Sequence, residues 1–125
     1  MAEDMEMPFK AMMRELVVHT PGARGAIFVD WEGEAVDQYS SDNEDYQLKV
    51  MGAYKGVILS LINDVQVCIG GGEVECVMVR MEEFSILMTP VKDGYYVALV
   101  MGKGSILSRA AFGMKKVVKE LMSEM

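Results

Sequence analysis

The sequence has little of the chemistry that metal sites and disulfide frameworks require. It contains two cysteines and one histidine among 125 residues. Cys68 and Cys76 lie eight residues apart without a Cys-x-x-Cys spacing, and His19 is distant from both in sequence. We therefore expect two free, buried thiols, and neither a bound metal nor a cofactor.

Long apolar runs and an excess of positive charge are also missing. No apolar stretch reaches the ~18 residues of a membrane span, and the N-terminus MAEDMEMPFK lacks the basic and apolar regions of a secretory signal. The net charge of −7 argues against a nucleic-acid backbone or an anionic membrane as the partner. These features predict a cytoplasmic protein with no membrane span and no nucleic-acid partner, and any charged partner should be basic.

Catalytic and phosphate-binding signatures are missing as well. The run Gly70-Gly71-Gly72 precedes a predicted strand rather than a helix, so we interpret it as a flexible connector and not as a phosphate loop. The run Gly102-Lys103-Gly104-Ser105 resembles the end of such a loop, but the first glycine of the motif would fall at Val97. No paired carboxylates flank a nucleophile at a recognisable spacing, and we expect a protein that is not an enzyme.

Residues 44–64 are predicted to form a long central helix with more apolar surface than one sheet can cover. At 100° per residue, apolar side chains occupy an arc of roughly 240°, whereas a surface helix needs only a little over ~100°. Gly52, Gly56 and Ser60 recur every fourth residue on the remaining side, which favours close approach of another backbone. A contact with a second copy or another protein explains this excess. A helix enclosed within one domain is the alternative.

The other elements complete a single domain over residues 8–125, and residues 1–7 are expected to be disordered. A first helix begins at Pro8 and ends before Pro21, and a last helix follows Ser105, which we expect to be its N-cap. Alternating apolar residues predict five strands, at residues 26–31, 35–39, 74–81, 84–91 and 95–101. The element order αββαβββα indicates an α+β fold, with one antiparallel sheet and helices on both faces.

Seven acidic residues and no basic residue lie between Gly25 and Leu48. This stretch is either a solvated hairpin and loop or a field that steers a basic partner surface. Under the second interpretation, we place the partner's contacts at the start of the central helix and the preceding loop. These partner-binding candidates are Asp42, Glu44, Tyr46, Lys49 and Ala53.

The element order, PGARGAIFVDWEG, the small-residue helix and ILMTPVKDGYYVALVM together resemble the Roadblock family. This family contains the dynein light chains of that name and the MglB-like regulators of small Ras-like GTPases. The resemblance extends from about Phe9 to Met122. It implies the strand order 2-1-5-4-3, with the central helix on one face of the sheet and the two terminal helices on the other.

The resemblance also implies a homodimer that pairs through the third strand and the central helix. Carried onto this sequence, the dimer-interface residues are Gly52, Gly56, Leu59, Ser60, Val74, Cys76, Met78 and Arg80. The implied function is that of a non-enzymatic regulator, which binds a small Ras-like GTPase and modulates its GTP hydrolysis or nucleotide cycle. The alternative is a Roadblock-type scaffold or adaptor with no effect on hydrolysis. Arg24 alone among the arginines falls on a predicted loop, and we expect a solvated side chain there rather than an arginine finger.

Overall fold

The computed structural model describes residues 8–41 and 69–125 of the chain. Within these two ranges the chain forms two helices and five strands. In chain order they are α1 (Pro8–Val18), β1 (Ala23–Val29), β2 (Ala35–Ser40), β3 (Val77–Arg80), β4 (Phe84–Pro90), β5 (Tyr96–Gly102) and α2 (Leu107–Glu124). The predicted disorder of residues 1–7 and the predicted central helix at residues 44–64 lie outside the described residues.

The five strands form one sheet in the order β2-β1-β5-β4-β3, and every neighbouring pair is antiparallel. The predicted sheet and its strand order are therefore confirmed. β5 occupies the middle of the sheet and pairs on one side with β1 and on the other with β4. β2 and β3 form the two edges, so each has a single strand partner among the described residues.

The two helices pack on the same face of the sheet, as predicted for the terminal helices. Met13 of α1, Met114 of α2 and Phe28 of β1 belong to one buried cluster that joins the three elements. Alternate strand residues point to the other face, because successive side chains in a strand lie on opposite sides. On that face Ile27, Val29, Met88 and Ala98 form a second buried cluster. The sheet therefore has buried side chains on both faces.

The first hairpin differs from its prediction in where β1 begins and ends. β1 starts three residues before the predicted residues 26–31 and ends at Val29, so that Asp30 and Trp31 belong to the turn. The Asp30 carboxylate explains the early end, because its Oδ1 accepts hydrogen bonds from the backbone N–H groups of Glu32 and Glu34 at 2.9 and 3.0 Å. β2, β4 and β5 differ from their predicted ends by one residue each.

The prediction of an eight-residue third strand, at residues 74–81, was wrong, because β3 contains only Val77–Arg80. The register pairs Val77 with Met88, and its continuation would place Glu75 opposite Pro90. Met81 N donates to Phe84 O at 2.8 Å, so every second residue of β4, including Pro90, directs its backbone nitrogen at β3. Proline has no N–H to donate, and the ladder therefore stops short of Glu75.

The predicted N-cap of the last helix was also wrong. Ile106, in an extended conformation with φ −97° and ψ 111°, occupies the N-cap position and makes no side-chain capping hydrogen bond. The Ser105 hydroxyl instead donates to the backbone oxygen of Gly102 at 2.9 Å. The turn between β5 and α2 thus uses the hydroxyl that a cap would have needed.

Candidate dimer and partner surface

The free edge of β3 is the strongest candidate interaction surface among the described residues. Val77, Val79 and Met81 direct their backbone groups at β4, since the Met81–Phe84 hydrogen bond fixes which residues pair. Met78 and Arg80 therefore direct their N–H and C=O groups away from the sheet. No described strand lies on that side. Four main-chain groups are available there for pairing with a strand of another chain.

The side chains of β3 hold this edge in place from both faces of the sheet. Met78 packs against the cluster beneath the helices, and Val77 packs against the cluster on the opposite face. Arg80 is exposed. A short strand held by apolar contacts on both sides presents its backbone groups in a fixed arrangement, which lowers the entropic cost of pairing with a partner strand.

A cavity of about 220 Å³ adjoins the end of this edge, between the β3–β4 turn and the loop that precedes α2. Met81, which is 49% exposed, and Phe84 contribute apolar surface to it. Charged side chains of both signs line it as well, at Arg80, Glu82, Glu83 and Lys103. The cavity continues the β3 edge with an apolar surface and a charged rim, a composition typical of protein–protein contacts.

Arg24 does not lie on a loop, contrary to the prediction. It belongs to β1, and its guanidinium carbon lies 5.5 Å from the centre of the Phe84 ring. Cation–π contacts of this kind hold an arginine against the protein surface. The side chain remains exposed, but it packs on an aromatic ring rather than extending from a mobile segment.

The predicted site residues fall into three groups. Met78 and Arg80 lie in β3, as the predicted dimer seam requires. Val74 and Cys76 precede the strand, and Cys76 is exposed, so its predicted burial was wrong. The remaining predicted dimer and partner residues lie outside the described residues, as does Cys68; these site residues are Asp42, Glu44, Tyr46, Lys49, Gly52, Ala53, Gly56, Leu59 and Ser60.

An exposed tryptophan at the first hairpin is a further surface feature, which the sequence analysis did not identify. Trp31 is 60% exposed, and its ring centre lies 5.7 Å from that of Tyr95. Tyr95 follows the β4–β5 turn, more than sixty positions later in the sequence. The sequence signal for this surface was a single tryptophan among glycine and acidic residues. Its ring partner, Tyr95, could be identified only once the strand order was known.

The ionisable groups of the described residues show one clear perturbation. Burial raises the pKa of the Tyr96 phenol above its ordinary value. Within residues 8–41 and 69–125, no group of three histidine, cysteine or acidic side chains could hold a metal ion. No helix in these two ranges is long and apolar enough to cross a membrane.

Comparisons with known proteins agree with this geometry. The Roadblock/LC7 domain family model matches residues 10–101. A Roadblock/LC7 domain from Streptomyces avermitilis superposes with a TM-score of 0.82 at 20% identity, covering 92% of this chain and 95% of that one. Myxococcus xanthus MglB superposes with a TM-score of 0.83 at 15% identity, covering 94% of each chain.

An MglB in a tetrameric arrangement is similar to the same degree, with a TM-score of 0.83 at 14% identity, covering 92% of this chain and 85% of that one. No curated protein matches the chain. The family match covers 92 of the 125 residues, from the third residue of α1 to the last but one of β5. The chain therefore belongs to the Roadblock/LC7 family.

Proposed function

We propose that this protein is a homodimeric, non-enzymatic regulator that binds a small Ras-like GTPase and modulates its GTP hydrolysis or nucleotide cycle. The observation that carries the proposal is the free edge of β3, where the outward backbone groups of Met78 and Arg80 pair with no described strand. Membership of the Roadblock/LC7 family and the similarity to MglB structures, one of them in a tetrameric arrangement, support self-association.

In the proposed dimer, β3 pairs with β3 of a second copy in an isologous contact. Met78 and Arg80 provide the strand pairing, and the neighbouring residues Val74 and Cys76 extend the contact. The small-residue side of the predicted central helix completes the interface at Gly52, Gly56, Leu59 and Ser60. We place the GTPase at Asp42, Glu44, Tyr46, Lys49 and Ala53, where the sequence combines acids with an apolar surface.

A regulator of this kind acts through the catalytic groups of the GTPase. Binding that holds the switch loops in the hydrolysing arrangement raises the rate without any residue entering the nucleotide site. The side chain of Arg24 packs against the Phe84 ring, which favours this mechanism over an arginine finger. An arginine finger has to extend from the regulator into the partner. Differential affinity for the GTP-bound and GDP-bound states then sets the size of the effect.

The alternative is a dimeric scaffold or adaptor without an effect on hydrolysis. Family membership favours it equally, because the β3 edge would serve either role. Isolation of the tagged protein from its native host, followed by mass measurement of the intact complex, tests the shared part of the proposal. We expect two copies of this chain together with a Ras-like GTPase. A monomer with no GTPase would contradict the proposal.

A further inference from the structure

Trp31 lies at the tip of the β1–β2 hairpin and is held there by the neighbouring β4–β5 turn. A Cβ added at Gly94 would lie 2.8 Å from the Trp31 Cβ, so the two turns are in close contact. Gly94 has φ +82° and Asp93 has φ +54°, backbone conformations that bring this turn against the tryptophan. We call this surface, formed by residues 30–34 and 92–95, the Trp31 tip.

A chain of aromatic rings connects the Trp31 tip to the core. The Phe28 ring, which is buried, lies 5.4 Å from Tyr95, and Tyr95 lies 5.7 Å from Trp31. The Trp31–Tyr95 contact is edge-on and the Phe28–Tyr95 contact is tilted, and aromatic pairs at such separations are favourable beyond the area they bury. The indole is therefore supported from below while most of its surface stays in water. A large side chain held in this way loses little conformational entropy on binding, which is the property of an interface anchor.

The charges around the indole select the chemistry of a partner. Four carboxylates, those of Asp30, Glu32, Glu34 and Asp93, and one cation, Lys92, lie in the Trp31 tip. No described cation forms a salt bridge with Glu32, Glu34 or Asp93. An aromatic face attracts cations through its quadrupole, and neighbouring carboxylates add to that attraction. Both effects favour the same ligand, a positively charged side chain.

We propose that the Trp31 tip is a docking site for an arginine-bearing segment of another protein. Arginine is the favoured cation because its planar guanidinium stacks on an aromatic ring while it donates hydrogen bonds to carboxylates in the same plane. The tip is a pair of turns that projects from the sheet, so the partner supplies the enclosing surface. A protein segment meets that requirement, whereas a small free cation does not.

This site is separate from the β3 edge and does not rest on the proposed GTPase function. β1 and β3 are three strand spacings apart, or roughly 14 Å. A dimer formed through β3 leaves the Trp31 tip of each copy accessible. The site can therefore be tested with no GTPase present, and its failure would leave the dimer and GTPase proposals unaffected.

The test uses the intrinsic fluorescence of Trp31, which is the only tryptophan in the chain. The probe is the peptide (Arg-Gly)4, and the control peptide carries citrulline, a neutral analogue of arginine, at each arginine position. We expect a saturable change in indole emission with the arginine peptide, which weakens at high salt. The citrulline peptide should produce no such change.

Variants then identify the residues that bind the arginine peptide. The affinity of each variant is measured by the fluorescence anisotropy of the labelled peptide. Trp31→Ala should weaken binding about tenfold, which corresponds to roughly 1.4 kcal/mol. Glu32→Gln with Glu34→Gln, which leaves the indole in place, should weaken it severalfold and flatten its salt dependence. The matched control is Glu120→Gln with Glu124→Gln, which removes two exposed acids from the end of α2 and should change affinity less than twofold.

Circular dichroism confirms folding of each variant, and the glutamine pair carries the test if Trp31→Ala does not fold. The proposal is overturned if the arginine peptide does not bind saturably, or if the citrulline peptide binds equally well. It is also overturned if the control pair weakens binding as much as the changes at the Trp31 tip, because attraction to the overall negative charge would then explain the result.

Discussion

Replacing Arg80 by proline removes a backbone N–H from the free edge of β3 and leaves the β3–β4 ladder intact. The N–H of Arg80 points away from β4, because Val79 and Met81 are the residues that pair with it. Proline is tolerated on an edge strand when its nitrogen faces away from the partner strand. The substitution therefore tests pairing with a second copy rather than folding of the sheet.

The expected magnitude follows from the symmetry of the proposed dimer. A two-fold contact contains Arg80 twice, so the change removes two hydrogen bonds worth about 0.5–1.5 kcal/mol each. The sum of about 1–3 kcal/mol raises the dimer dissociation constant roughly 5- to 150-fold. Sedimentation velocity across a concentration series measures that constant directly.

Two variants, one at the same residue and one at the preceding residue, serve as controls. Arg80→Ala removes the same exposed side chain but keeps the N–H, and should change the dissociation constant far less than proline does. Val79→Pro removes an N–H that points at β4, and should lower the free energy of unfolding in urea. If Arg80→Pro and Arg80→Ala give the same dissociation constant, the β3 edge is not the dimer seam.

Three further predictions concern the fold itself. Phe28→Ala should lower the free energy of unfolding by about 3–5 kcal/mol in denaturant titration, because it removes a buried ring that contacts Phe9 and Tyr95; a loss under 1 kcal/mol would refute the packing described. Gly22→Ala should lower the free energy of unfolding by about 2 kcal/mol or more in the same titration, because φ is +87° and the new Cβ would lie 2.7 Å from the Ser105 Cβ. Gly104 has the same φ but open space around it, so Gly104→Ala should show the cost of the backbone strain alone. Equal costs at the two glycines would contradict the close approach. Burial raises the folded-state pKa of Tyr96, so the unfolded phenol ionises first near pH ~10, and the contribution of Tyr96 to stability should be constant below that pH and fall above it. Tyr96→Phe should reduce this alkaline decline in pH-dependent unfolding, and an unchanged decline would assign it to other groups.

Much of the fold could be predicted from local sequence patterns. The periodicity of Phe9, Met12, Met13 and Leu16 and the alternation within the β runs identify elements, because both depend on residues close together in the chain. Leu87 and Met88 are consecutive in the apolar run of β4 and are buried in the two opposite clusters. The strand order came from the family resemblance, since pairing between distant strands is not encoded in any local pattern.

The errors arose where distant residues decide the outcome. β3 is short because of Pro90 on the neighbouring strand, and the Ser105 hydroxyl bonds to Gly102 instead of capping α2. Arg24 was assigned to a loop because β1 extends further toward the N-terminus than its apolar run. The Trp31–Tyr95 contact joins two turns across the sheet. Each of these features depends on tertiary contacts that override local propensity.

Single-turnover GTP hydrolysis tests the central claim most directly. The Ras-like GTPase recovered with this protein from its native host is loaded with GTP. GTP hydrolysis and nucleotide release are then measured for the GTPase alone, for the GTPase with the native chain, and for the GTPase with the Arg80→Pro variant. We predict that the native chain changes one of these rates and that the proline variant, at concentrations where it is monomeric, does not. If the native chain binds the GTPase as a dimer but leaves both rates unchanged, the regulator proposal is wrong and the adaptor alternative replaces it.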